Sequence, residues 1–552
     1  MKILNIKQYI VAIIAFCILS SGQIGAQPAL IPYPNSLKTS KGYLTLSKSV
    51  GIKVEDMKLL FAKNTLQAML TDLCHLEVHE AKHADIRLEL ATPWDASAEA
   101  YRLTIDKHGI LIEGGAPQGV YYGLMTLRQL LLSAETQMQG IKLPCLQIED
   151  APKYRFRALM LDPARHFLPV DAVKQYIDRM SHYKLNTLQL HLTDDQGWRL
   201  AVDKHPRLTN VGAKRSGDNR IEENGFYSAT DLLELVAYAE QRGIEIISEI
   251  DVPGHTAALL TAYPELRGDM HPDSTFVLGR TDNVMLSATT PKVYEVLDDV
   301  LANLATIFPR GSRLHLGGDE SAIKRNWARS TEHRQLMRQL DYHSAEQLMG
   351  YFFERVLASA RKHGFRPMLW CELDEIRMPA GRFLFDYPQD VALVSWRMGL
   401  TPKCIELTQQ SGHELILAPG ESAYFDYPQY RGDLPEHNNW GMPITTLKQA
   451  YTWDLGSGVT AKAHTHISGV MGTLWGEAIK NMDRAYYMTY PRALALAEIG
   501  WTELPHRQWT RFAKALPTVL DDLLRSGVPY RAPFEVYRSE GRHLKKAIQR
   551  EP

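Results

Sequence analysis

A (β/α)8 TIM barrel preceded by a small α+β domain is the fold this sequence predicts, and three observations carry that prediction. Eight short apolar runs recur, each followed by a polar or glycine-rich stretch and then a helical pattern, over about 350 residues. The segment before them mixes strand and helix patterns without that alternation. Finally, polar or aromatic residues close every one of the eight runs, where a barrel of this kind carries its catalytic loops.

The chain has 552 residues, too many for one ordinary domain, and its 45% hydrophobic content can fill a large core. A charged content of 23% and a formal net charge of −1 give no general attraction to nucleic acid or anionic membrane. Residues 1–26 form the first element, "MKILNIKQYIVAIIAFCILSSGQIGA", with Lys2 and Lys7 ahead of an apolar run from Tyr9 to Leu19 and small residues before Ala26. This reads as a cleaved signal peptide, shorter in its apolar part than the ~20 residues of a spanning helix, so a secreted or periplasmic location is expected. Cys17 sits within the apolar run after bulky Phe16, which is not the setting of a lipidated cysteine. The remaining Cys74, Cys145, Cys371 and Cys404 have no metal-like or knot-like spacing, and mostly free, buried thiols are expected.

Residues 27–150 follow as the small α+β domain. In "AYRLTIDKHGILIEGG" two alternating runs flank a turn at Asp106 to Gly109, and Val120, Leu124, Leu127 and Leu131 then recur at helical spacing. No cluster of acids, histidines or cysteines marks a site there, so this domain is expected to support. The barrel occupies residues 151–505, and residues 506–552 are expected to add a C-terminal helix and tail packed on it.

Its runs are "RALMLDPARH", "NTLQLHLTDD", "IEIISEIDVPGH", "RLHLGGDE", "RPMLWCELDE", "VALVSWR", "ELILAPG" and "GVMGTLWGE". Arg165 and His166 close the first, Asp194 and Asp195 the second, Asp251 and His255 the third, and Asp319 with Glu320 the fourth. Trp370 and Glu372 close the fifth, Trp396 the sixth, Tyr424 and Asp426 follow the seventh, and Trp475 and Glu477 end the eighth. Adjacent Asp319 and Glu320 have two readings. An acid before "SAIKRNW" suits a helix N-cap, whereas two like charges in one site raise one pKa and make a general acid. A cap does not predict polar and aromatic residues on all eight strand ends, and an active site does. Tryptophans among carboxylates and one arginine suit a sugar, whose C–H faces stack on indole while its hydroxyls take charge-assisted hydrogen bonds. His166, His191, His255 and His315 lack compact ligand spacing such as HExxH, so no metal is expected.

The blocks "LDPARHF", "YKLNTLQLHLTDDQGWR", "EIDVPGH", "HLGGDE", "YFDY" and "LWGE", in this order, make the chain resemble glycoside hydrolase family 20, the β-N-acetylhexosaminidases, over nearly its whole length. The resemblance implies a retaining exo-hydrolase of terminal β-linked GlcNAc or GalNAc, in which the acetamido oxygen of the sugar is the nucleophile, an exception to the usual carboxylate pair. By that resemblance Glu320 is the general acid and base, Asp319 holds the acetamido N–H, and Tyr424 donates to its carbonyl. Trp370, Trp396 and Trp475 enclose the sugar and its methyl group, and Arg165, Asp426 and Glu477 grip ring hydroxyls. Asp194 and His255 stand behind Glu320. The implied partner is a glycan or chitooligosaccharide, with no metal, organic cofactor or nucleic acid. The chain departs from the family pattern at Ser248, where Pro is expected, and at Met471, where Gln is frequent. Release of a disaccharide such as lacto-N-biose, or sugar binding on a barrel without catalysis, are the alternative readings.

Overall fold

The computed structural model describes residues 28–537 apart from 139, 217–221, 271–283, 375–380, 431–432, 434–441 and 454–465, so the segment expected to be a signal peptide and the last residues of the expected tail lie outside the described residues. The described chain divides into two compact units, one of residues 28–30 with 36–150 and one comprising residues 31–35 with residues 151 onward.

The first unit is an eight-stranded mixed sheet with a helix at Pro117–Leu132. Strands Tyr101–Asp106 and Gly109–Gly114 form an antiparallel hairpin with Asp106 opposite Gly109, the turn expected from sequence. Val120, Leu124, Leu127 and Leu131 are all buried, because their spacing puts them on the side of the helix that meets the sheet.

The second unit is a closed parallel barrel whose strands follow one another in chain order. They are β1 (Phe156–Leu161), β2 (Thr187–His191), β3 (Glu245–Val252), β4 (Arg313–Gly317), β5 (Arg366–Trp370), β6 (Ala392–Ser395), β7 (Leu415–Leu417) and β8 (Ile467–Leu474). Strands covered by helices outside and a filled interior inside are buried on both faces, which is why they read as continuous apolar runs. The connection from β5 to β6 departs from the expected alternation, since its described residues contain no helix. Pro388 and Gly381 interrupt it, and Phe383, Phe385 and Tyr387 alternate instead, with the rings of Phe385 and Tyr387 4.2 Å apart.

The barrel interior is divided by chemistry. Strands β1 and β5 to β8, with Ile247 of β3, fill one part with apolar side chains, among them Ala158, Met160, Met368, Val394, Ile416 and Met471. Strands β2 to β4 instead send in Gln189, His191, Glu249 and His315, all fully buried. A helix at Trp509–Arg525 buries Phe512, Leu516, Val519 and Leu520 and brings Phe512 to 4.5 Å from the ring of Tyr451. Among the described residues all four cysteines are free, and three of them are buried.

Candidate active site

A cavity of about 410 Å³ opens at the C-terminal ends of the strands. Of the eleven residues to which the resemblance gives a role in the site, Arg165, His255, Asp319, Glu320, Trp396, Tyr424, Asp426, Trp475 and Glu477 line it. Two do not. Asp194 is buried behind Arg165 and His255, and Trp370, expected on the wall, lies beneath it at 1% exposure. Trp370 is drawn inward because its Nε1 donates to Glu249 Oε1 at 2.9 Å, while its ring packs 5.8 Å from that of Trp475. Met471 is likewise inside the barrel and not on the wall.

The end of β4 shows why the two acids stand where they do. Gly317 has φ +67°, and a Cβ there would lie 1.7 Å from Asp251 Oδ1, so the chain can pass the β3 carboxylate only as glycine. Gly318 follows at φ +96° and the chain then delivers Asp319 inward and Glu320 outward. Glu320 itself has φ +48° and His255 has φ +52°, a left-handed backbone that costs a non-glycine residue energy. Two of the five such residues described are thus in this one cavity. Strain held there fixes the direction of both side chains.

His255 joins the acids to the floor. Its Nε2 is 3.7 Å from Asp319 Oδ2 and 3.8 Å from Glu320 Oε2, and its Nδ1 is 3.4 Å from Asp194 Oδ1. Burial works against the imidazolium, but Asp194, Asp319 and Asp251 hold its pKa well above the usual value. Asp194 Oδ2 is in turn 2.7 Å from Arg165 Nη2 and 2.8 Å from His191 Nε2. His191 Nδ1 lies 2.8 Å from Glu249, which also accepts from Gln189 and Trp370. Opposite charges therefore alternate from Glu249 through His191, Asp194 and His255 to Glu320.

This environment separates the two carboxyls. Burial and the Asp319 charge raise the pKa of Glu320, with His255, Arg397 and Arg165 opposing them. Asp319 is enclosed, and its buried Oδ1 has no hydrogen-bond partner among the described residues. An acceptor so placed awaits a donor from a ligand. Tyr424 packs 6.2 Å from Trp475, and burial raises its pKa so that the phenol keeps its proton.

Arg165 is held by Asp162 at 2.8 Å and Gln196 at 2.9 Å, with its guanidinium 5.2 Å from the Trp475 ring. Trp396 donates its Nε1 to Glu372 at 2.9 Å, and Arg397 reaches the other oxygen at 3.0 Å. Burial nevertheless pushes Glu372 up to about 8. Wall residues Asp195, Gly254, Val284, Ala322, Tyr427 and Met442 were not assigned to the site from sequence; except for Asp195, which ends its strand run, they lie in loops without a periodic signal. The clusters His191, Asp194, Asp251, then Asp194, Asp195, His255, and then Asp251, His255, Asp319 have compact donor geometry. Arg165 already pairs with Asp194, shared by the first two, and His255, shared by the last two, is held as a cation between Asp194 and Asp319, which suits an ion-pair network better than a cation site.

A family model described as "Glycosyl hydrolase family 20, catalytic domain" matches residues 154–504, and "Glycosyl hydrolase family 20, domain 2" matches residues 27–151. The β-hexosaminidase of Akkermansia muciniphila is 37% identical over 448 residues, which are 80% of this chain and 86% of that one. That of Vibrio furnissii is 32% identical over 86% of this chain and 77% of its own length. Among solved structures, the exo β-N-acetylglucosaminidase of Vibrio harveyi in complex with N-acetylglucosamine superposes with a TM-score of 0.80 at 30% identity, covering 92% of this chain and 78% of that chain. The N-acetyl-β-hexosaminidase of Streptomyces plicatus, in complex with Thio-NAglucal, gives 0.78 at 28% identity over 92% and 97%.

Proposed function

Because the chain belongs to glycosyl hydrolase family 20 and is a β-N-acetylhexosaminidase, we propose that it releases single terminal β-linked GlcNAc or GalNAc residues by using their acetamido group as the nucleophile. The observation that carries this reading is the pair Asp319 and Glu320, one enclosed with an unpartnered acceptor and the other exposed with a raised pKa.

In the first step the acetamido oxygen attacks the anomeric carbon while the bond to the glycosidic oxygen breaks, and Glu320 gives that oxygen its proton. Asp319 Oδ1 accepts the acetamido N–H, which turns the carbonyl toward the anomeric carbon and offsets the charge of the resulting oxazolinium ion. Tyr424 donates its hydroxyl to the same carbonyl oxygen. In the second step Glu320, now a carboxylate, takes a proton from water as the water attacks the anomeric carbon and the bond from that carbon to the acetamido oxygen breaks, which restores the acetamide and, after two displacements, retains the configuration. His255 and Asp194 hold Glu320 in place, and Trp396 and Trp475 offer flat surfaces to the sugar and its methyl group.

The test is Glu320→Gln, which keeps shape and removes the proton. General acid catalysis contributes about 10²–10⁴-fold, so hydrolysis of natural glycans should fall by that factor. Aryl substrates with acidic leaving groups should lose much less in the bond-breaking step, and equal losses for both would contradict the assignment.

A further inference from the structure

We propose that Arg492 is a positioning residue for Tyr424 and Asp426, acting through the backbone of the loop that carries them; this rests on the roles given to those two residues above. Arg492 begins the helix Arg492–Trp501 after β8 and is fully buried. Among the described residues no carboxylate pairs with it. Its guanidinium instead meets four backbone carbonyls. Nη1 donates to Tyr427 O at 3.0 Å and to Thr445 O at 3.1 Å. Nη2 donates to Met488 O at 2.8 Å and to Phe425 O.

Phe425 and Tyr427 flank Asp426, and Phe425 also follows Tyr424, so the clamped carbonyls alternate with Tyr424 and Asp426, which line the cavity together with the Tyr427 side chain. On its other side the segment is fixed to β8, where Phe425 N donates to Thr473 O at 2.7 Å. Two independent supports therefore define the direction in which Tyr424 and Asp426 point. Packing alone does not explain an arginine here. Burial lowers its pKa to about 9, so the charge is held at a cost that an apolar side chain of similar size would avoid. What a guanidinium supplies is a rigid fork of donors that can reach carbonyls in three chain segments at once. The same device recurs across the cavity, where Arg199 donates to Pro163 O at 2.9 Å and Ala164 O at 3.0 Å, immediately before Arg165.

The experiment is a double-mutant cycle in the full chain with Arg492→Lys and Tyr424→Phe, using an aryl β-N-acetylglucosaminide. Arg492→Lys keeps the charge and loses the fork. Since a displacement near 1 Å costs about 10²-fold, it should lower kcat by roughly 10–100-fold. In the Tyr424→Phe background the same change should cost several-fold less, the remainder being the part carried by Asp426, because residues acting through one another are not additive. Backbone amide exchange should rise at 424–427 and stay low in β1. Tyr424→Phe without effect would remove the role given to Tyr424 in the catalytic reading. A normal Tyr424→Phe defect with multiplicative losses, or exchange raised throughout the helix Arg492–Trp501 and β8 with kcat unchanged, would overturn the positioning role alone. If Arg492→Lys does not fold, Arg492→Gln takes its place with the same expectations; if neither folds, Arg492 is a folding residue and the proposal fails.

Discussion

Asp319 and Glu320 are neighbours in sequence and opposites in exposure, with side chains 10% and 53% exposed, although both face the His255 imidazole. A left-handed turn at Glu320 produces the difference. It leaves one carboxyl enclosed as an acceptor and the other open to solvent and leaving group. Their charges still interact, because burial and the Asp319 charge both raise the pKa of Glu320.

That coupling predicts two opposite pH shifts. Glu320 must be protonated to act as an acid, so activity falls as pH rises through its pKa, which Asp319 raises and His255, Arg397 and Arg165 lower. Asp319→Asn should move the alkaline limb of kcat/KM to lower pH, and His255→Gln should move it to higher pH, whatever each does to the maximal rate. Limbs that stay in place in both variants would assign that limb to another group.

Glu477 and Arg165 make different predictions for the same end of the sugar. Charge-assisted hydrogen bonds contribute about 1.5–3 kcal/mol each, so Glu477→Ala should cost about one to two decades in kcat/KM. Arg165→Ala should cost more and reach kcat, because it also unpairs buried Asp162 and Asp194, and Asp194 supports His255. Early digestion of a chitooligosaccharide by the wild-type enzyme should give the monosaccharide and a chain one unit shorter. An early burst of mid-length fragments would show that the cavity is open-ended.

Glu372 links a wall tryptophan to stability. Burial raises its pKa to about 8 in the folded protein, above the ~4.3 of an unfolded glutamate. The folded state therefore binds the extra proton between these values, and stability should fall as pH rises from about 4.3 to about 8. Glu372→Gln should leave Tm nearly unchanged at pH 5 and raise it relative to wild type at pH 8, as read by thermal melts. A variant less stable at both would show that the Arg397 contact outweighs the cost of burial.

The barrel was legible because each strand run ends in polar or aromatic side chains, and residues at seven of those ends, all but the fifth, line one cavity. The floor was less legible. In "NTLQLHL" Gln189 and His191 alternate with leucines, which signals an inward polar face, but His191 and His315 were weighed as metal ligands. Their partner Glu249 lies on another strand, at a separation that no local spacing encodes. Trp370 has the same composition signal as Trp475, and only the acceptor beneath it distinguishes a floor residue from a wall. Arg492 carries no signal at all, since the groups it binds are backbone carbonyls.

The central claim is that the sugar's own acetamido oxygen attacks the anomeric carbon, and one series of substrates addresses it directly. Aryl β-glucosaminides whose N-acetyl methyl carries zero, one, two or three fluorines differ little in size but progressively weaken the carbonyl oxygen as a nucleophile. If the acetamido group attacks in the transition state, kcat/KM should fall steeply with each fluorine, in step with the falling basicity of the carbonyl. A flat series, together with a covalent sugar–protein adduct seen by mass spectrometry during turnover, would contradict the account.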